Sequence, residues 1–235
     1  MQKPTPTARA RRASGAHSPA VATTAAAASP APPRPAQAEA ILEAAARAFA
    51  ERGFPGASMS ELARDCGVSK ALLYHYYTNK EEILFDMTER YIARLVALCA
   101  EIEARRLPPK EHLAALIRSF LDEYQTSQHK HMVLTHDFKF LDAPRRAIIV
   151  GRQRAVIDTF RRAIAAATDG RLSVAAALPA AMLVFGMINW TFTWLKPAGP
   201  MSYAEFAEWV IRMIEGGIGN LAAPPARSAR RSVRK

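Results

Sequence analysis

Cysteine is almost missing from this chain of 235 residues: only Cys66 and Cys99 occur. They fall in separate helical patterns, and neither has a histidine at metal-ligand spacing. A disulfide framework and a zinc site are therefore excluded, and a reduced, cytoplasmic setting is the simplest reading. Long apolar runs are missing too. A membrane helix needs roughly 18 or more apolar residues with few charges. The nearest candidate, residues 174–195, contains Pro179, Gly186 and Asn189 and reads as a buried bundle helix, so no membrane contact is expected. The N-terminus has arginines but no compact apolar segment, which makes it a poor secretory signal. Alternating strand patterning is not found, so the fold class is all-α. Paired carboxylates, a nucleophile–base motif, a phosphate loop and a metal-ligand cluster are equally missing. The chain does not read as an enzyme, and no cofactor is expected.

Acidic residues are absent from both ends. The net charge is +11, and its placement matters more than its sum. Residues 1–35 carry Lys3, Arg9, Arg11, Arg12 and Arg34; residues 222–235 carry Arg227, Arg230, Arg231, Arg234 and Lys235. Both ends are rich in alanine, serine and proline, bury too little apolar surface to fold, and are expected to be disordered basic tails. They hold ten of the eleven net charges. Between 36 and 84, Arg47, Arg52, Arg64, Lys70 and Lys80 face seven acids. That segment is slightly acidic, so any DNA recognition by it rests on a few placed cations, helix N-termini and polar side chains.

What is present is a dense set of helix signals at 58–80. Ser58-Met59-Ser60-Glu61 is a capping box. Gly67 is a helix stop, since a left-handed residue costs glycine little. Ser69 caps a second helix at 70–77, and Asn79-Lys80-Glu81-Glu82 opens a third that runs towards Arg106, where Pro108 and Pro109 follow. Two short helices joined by a glycine turn form a helix-turn-helix, whose second helix can enter the major groove. Leu73 and Tyr77 share the face that packs inward. The open side offers Lys70, Leu72, Tyr74, His75 and Tyr76, groups suited to phosphates and base edges. Lys80 sits in a first helical turn, where a cation opposes the helix dipole, so an external anion is the better explanation of its charge.

The run Leu62-Ala63, Gly67-Val68-Ser69-Lys70, Leu73-Tyr74-His75-Tyr76-Tyr77, Asn79-Lys80-Glu81-Glu82-Ile83-Leu84 resembles the signature of the TetR family of transcriptional regulators. The likeness extends upstream through Ile41, Leu42, Ala45, Phe49, Gly53 and Phe54. Departures are small: Tyr76 stands where His is usual, Tyr77 where Phe is usual, and Thr78 where Pro is common. The resemblance implies a helix-turn-helix domain at 36–84 that binds double-stranded operator DNA through Ser58, Ser69, Lys70, Leu72, Tyr74, His75, Tyr76 and Lys80. It implies a regulatory and dimerisation domain at 85–221, for about nine helices in all. It also implies a homodimer joined by the last two long helices, 174–196 and 202–221.

In the second half, Phe120, Tyr124, Leu134, Phe138, Leu141, Met182, Phe185 and Trp190 are candidates to line an apolar effector cavity. Asn189 is its best polar candidate, because an amide in an apolar helix needs partners; His131 and His136 are others. With Asp137 these histidines fit no firm ligand spacing, and no metal site is expected. The segment from Asn189 to Ser202 is similar to one in regulators of fatty-acid and aromatic-acid catabolism that respond to acyl-CoA thioesters. That likeness implies an apolar cavity with a mouth for the CoA head. Arg145, Arg146, Arg152 and Arg154 suit its phosphates, or equally form a solvated helix face. The resulting reading is a dimeric repressor that a small molecule, an acyl-CoA thioester, releases from its operator. Its rival is an effector-independent DNA-binding protein, whose C-terminal core would be filled.

Overall fold

The computed structural model describes residues 34–169, 171–196 and 198–218. The tails expected at 1–35 and 222–235 lie outside these residues, apart from Arg34 and Pro35, as does the expected helix end at Leu221. Ten α-helical segments follow one another: α1 (Arg34–Gly56), α2 (Met59–Asp65), α3 (Lys70–Tyr76), α4 (Lys80–Ala104), α5 (Pro109–Thr126), α6 (Gln128–His136), α7 (Ala143–Ala167), α8 (Leu178–Ile188), α9 (Thr191–Trp194) and α10 (Tyr203–Ile218). A 3-10 turn, Phe138–Phe140, links α6 to α7. Among the described residues there is no strand, and nine of the helices have seven residues or more.

Local chemistry sets most boundaries. The Ser58 hydroxyl accepts from the Glu61 amide at 3.3 Å while the Glu61 carboxylate accepts from the Ser58 amide at 2.9 Å. The same reciprocal pair, Ser202 with Glu205, starts α10. Ser69, Asn79 and Asp142 cap α3, α4 and α7 by accepting from Leu72, Glu82 and Arg145 amides. Gly67 sits at φ 66°. It lets the Val68 amide reach the Ala63 carbonyl at 3.0 Å and its own amide the Arg64 carbonyl at 3.0 Å, the paired bonds that close a helix on a left-handed residue. Gly53, at φ 72°, breaks α1 near its end.

One core runs through both halves. In the reading head, Ile41, Ala45, Phe49, Leu62, Leu73 and Leu84 are fully or nearly fully buried. Beyond it, Ile92, Leu116, Phe120, Phe160 and Ile188 continue the same cluster. Helix α4 crosses the expected boundary at 84/85 without a break, packing on α1 at one end and on α5 and α7 along the rest. Helix α6 also packs on α1. There Lys130 pairs with Glu39 at 3.1 Å and with Glu43, and Arg90 reaches Glu39 at 3.7 Å.

One helix expectation needs correction. Residues 174–196 do not form one helix, because α8 begins at Leu178 and ends at Ile188. The Asn189 carbonyl accepts from His131 Nε2 at 3.0 Å, and the Thr191 hydroxyl takes the Ile188 carbonyl at 2.9 Å. These bonds hold the turn at Asn189 and Trp190, after which the chain enters the single turn of α9.

Candidate functional site

The helix pair α2–α3 presents its second helix outward. Leu73 is fully buried, and Tyr77 is nearly so, its hydroxyl donating to Asp86 at 2.6 Å. That burial and the bond to Asp86 raise the Tyr77 pKa. Together they anchor α3 on α4. On the opposite side Ser58, Ser69, Lys70, Leu72, Tyr74 and His75 are exposed, and Tyr76 is half-buried against the core. Six of these seven expected residues are thus open to solvent and the seventh partly so. The Lys70 ammonium lies 5.9 Å from the Tyr74 ring centroid, and the His75 and Tyr76 rings meet edge to face at 5.7 Å. The hydroxyls of Ser58 and Ser69 are spent on capping, so their offer to an anion is the helix end itself.

Lys80 departs from expectation. Its Nζ donates to the carbonyls of Phe54 at 3.0 Å, Ala57 at 3.0 Å and Pro55 at 3.4 Å, and lies 4.5 Å from the Phe54 ring centroid. Three carbonyls at the frayed end of α1 account for this cation in place of an external anion. They belong to residues at least 23 positions away in sequence, which no local pattern reveals. Arg52 likewise pairs with Asp65, which Arg64 also approaches at 3.8 Å; Arg47 and Lys70 are exposed.

The second half holds a half-open cavity of about 250 Å3. Seven of the eight expected ligand residues line it: Phe120, Tyr124, Leu134, Phe138, Met182, Phe185 and Asn189. Trp190 does not; it is 46% exposed and leans on His136 and Phe192, because the break after α8 turns it off the cavity face. His136 is exposed as well, and Leu141 is buried away from the cavity. Ile92 and Leu95 of α4, Thr135 of α6 and Gln153, Val156 and Ile157 of α7 complete the wall. Their helical spacing marks them as inward-facing, but spacing does not separate a void from a filled core.

The polar end of the cavity is a connected set. The Tyr124 hydroxyl donates to Asn189 Oδ1 at 3.0 Å, and His131 stacks on Tyr124 with centroids 3.8 Å apart. His131 is 3% exposed; burial pushes its pKa down to about 4 against the pull of the Asn189 carbonyl. The ring is therefore neutral, with its proton on Nε2, since a carbonyl only accepts. His131 Nδ1 and the Tyr91 hydroxyl are buried without a partner. Among the described residues no group of three metal-ligand side chains comes together, and the two thiols are inert, burial pushing each up to about 11. Of the four arginines, Arg145 is held near Asp142 and the Phe85 ring, Arg146 donates to the Lys139 carbonyl, and Arg152 pairs with Glu89. Arg154 is exposed.

Comparison with known proteins agrees with this arrangement. The family description "Bacterial regulatory proteins, tetR family" matches residues 41–87, and "Tetracyclin repressor-like, C-terminal domain" matches residues 106–218. The chain belongs to the TetR family. As a TetR-family protein it is a DNA-binding transcriptional regulator and not an enzyme. A TetR-family regulator from Bordetella parapertussis 12822 is 32% identical, covers 80% of this chain and 98% of its own, and superposes with a TM-score of 0.73. AibR, solved in complex with isovaleryl coenzyme A and operator DNA, is 28% identical over 75% of this chain and 97% of its own, at a TM-score of 0.68. The transcriptional repressor KstR2 of Mycolicibacterium smegmatis is 24% identical over 189 residues, 77% of this chain and 89% of its own length.

This TetR-family chain leaves a broad apolar face uncovered on α8 and α10. Leu178, Met182 and Leu183 of α8 and Trp209 and Met213 of α10 are 43–65% exposed. Tyr203, Ala207, Val210 and Ile211, on the other side of α10, are buried. No helix among the described residues is long and apolar enough to cross a membrane.

Proposed function

We propose that this chain is a cytoplasmic, homodimeric repressor that leaves its operator when a small molecule fills the cavity between α4 and α8. The observation that carries the reading is that cavity, about 250 Å3 walled mainly by apolar side chains and by no charged one, set in a chain whose first three helices are a DNA-reading head. A DNA-binding protein with no effector would have no use for a half-open apolar pocket there, since apolar surface left in water costs stability. Operator contacts fall to Lys70, Leu72, Tyr74, His75 and Tyr76 and to the capped ends at Ser58 and Ser69, while Lys80 shapes the corner beneath them. The uncovered face of α8 and α10 supplies the dimer contact, a second copy burying Trp209 and Met213. Two heads on a two-fold axis then read a palindrome.

The effector class that fits is an acyl-CoA thioester. An apolar cavity of about 150 Å3 takes up benzene, so the present one holds an acyl group of about ten non-hydrogen atoms by the same scale. The nucleotide head stays outside, where Arg154 is an exposed cation. The named complex of AibR with isovaleryl coenzyme A and the likeness at 189–202 support the same class. A thermal-shift series across acyl-CoA thioesters tests it. A ligand that binds only the folded state at about 100 times its Kd adds about 2.7 kcal/mol of stability, so medium-chain thioesters are expected to raise the melting midpoint. No shift from any chain length would remove the acyl-CoA reading.

A further inference from the structure

Charge is what the effector cavity conspicuously omits. Among the described residues lining it there is no lysine, arginine, aspartate or glutamate. Two titratable side chains face it, and neither carries charge near neutral pH. Tyr124 is 2% exposed, and its burial raises its pKa. His131 is 3% exposed and gives its one proton to the Asn189 carbonyl. Protonating its second nitrogen would place an unpaired charge in an apolar wall, which burial opposes.

Three uncharged polar side chains remain: Thr135, whose hydroxyl is spent on the His131 carbonyl at 2.8 Å, Gln153 of α7, and Asn189, the one held in place by a hydrogen bond from another lining side chain. Its side-chain oxygen is taken by the Tyr124 hydroxyl at 3.0 Å, and its main-chain carbonyl by His131 Nε2 at 3.0 Å. What the residue has left wholly unengaged is its Nδ2 amide, which carries two donors. Tyr124 holds the side chain of Asn189 and His131 its main chain, and their own stacking at 3.8 Å stiffens the pair. A donor in an apolar, uncharged cavity suits a neutral carbonyl oxygen. It does not suit an ionised carboxylate, which would be buried with no cation to offset its lost hydration.

From this geometry we infer that the cavity selects a neutral carbonyl, such as that of a thioester, amide or ketone, over the free carboxylate of the same chain length, and that Asn189 is the residue that reads it. The inference rests on the cavity being the effector site. Tyr124 and His131 act as positioning residues, holding the amide and touching the ligand only through their rings.

Octanamide and octanoate have the same shape and about ten non-hydrogen atoms each, the number that the scale above fits to this cavity. Isothermal titration of the full-length protein at pH 7.5 with each, and with octanoyl-CoA, is the test. Octanamide is expected to bind at least a hundredfold more tightly than octanoate. Equal or tighter binding of octanoate overturns the inference, as does binding of octanoyl-CoA with no detectable binding of octanamide. If none of the three binds, the effector reading itself falls and takes the inference with it. Asn189→Leu is expected to lose at least tenfold in octanamide affinity and most of the discrimination; unchanged affinity would remove Asn189 from the site. Should that variant fail to fold, the comparison of the two probes on the unaltered protein still decides. Tyr124→Phe, which frees Asn189 Oδ1, is expected to narrow the amide-to-carboxylate ratio while leaving the melting midpoint nearly in place.

Discussion

Replacing Lys80 with methionine separates two roles for this cation. Methionine keeps the aliphatic stem over the Phe54 ring and removes the ammonium. In the folded chain that ammonium makes two bonds of 3.0 Å and one of 3.4 Å to carbonyls of residues 54–57. A hydrogen bond to a charged group is worth about 1.5–3 kcal/mol. The third contact is long and the site is only part-buried, so the total is taken as about 3 kcal/mol from the two good bonds, scaled towards the low end of that range. At about 2–4 °C per kcal/mol for a chain of this size, the melting midpoint falls by roughly 6–12 °C, measured at fixed protein concentration because dimerisation also contributes. Affinity for non-specific duplex DNA, followed by fluorescence anisotropy across salt concentrations, gives the second reading. A lost phosphate contact lowers the slope of log K against log salt by about 0.9; an internal clamp leaves it unchanged. A midpoint within 1 °C of the parent together with a reduced slope would refute the clamp and restore the external anion.

Three further outcomes are expected. Lys70→Ala and Tyr74→Ala lie on exposed positions. They are expected to leave the melting midpoint nearly unchanged while weakening operator binding, Lys70→Ala also lowering the salt slope by about 0.9; gel-shift affinity equal to the parent in both would empty the assigned face. His131 has its folded pKa lowered from 6.5 to about 4, so the unfolded chain takes up the proton first. Stability is then whole above pH 6.5 and falls as pH drops towards 4, by about 3 kcal/mol at 1.36 kcal/mol per pKa unit; urea melts at stepped pH check this, and a His131→Phe variant with the same slope would contradict it. Trp209, 56% exposed on α10, is expected on changing to glutamate to turn the dimer into monomers in sedimentation, and an unaltered dimer would move the interface elsewhere.

The parts of the fold that were legible in sequence are those fixed by neighbours along the chain. Ser58 with Glu61, Ser202 with Glu205, Asn79 with Glu82 and Gly67 act within a few residues of themselves, and each forms the contact its motif specifies. The inward face of α3 follows from Leu73 and Tyr77 being one turn apart. The partners of Lys80 were not legible because they arrive from the end of α1, and only the folded chain brings those carbonyls to it. Trp190 was misread for a related reason. The apolar run through 196 has helical periodicity, but α8 ends at Ile188, where the Asn189 carbonyl bonds to a histidine 58 positions earlier, so the face that periodicity assigned to Trp190 does not exist. The cavity occupies a middle ground. Phe120, Tyr124, Phe185 and Asn189 could be named as inward-facing, whereas the contribution of Gln153 and Val156 and the existence of a void depend on how α4, α7 and α8 fail to close on one another.

The central claim, that occupancy of the cavity releases DNA, is tested most directly by one titration. The full-length protein is bound to a fluorescent duplex taken from upstream of its own coding sequence, and octanoyl-CoA is added while anisotropy is followed. The account predicts that anisotropy falls to that of free duplex over the same concentrations at which octanoyl-CoA raises the melting midpoint, and that Asn189→Leu shifts both curves together to higher concentration. A thioester that stabilises the protein fully and leaves the DNA bound would contradict it.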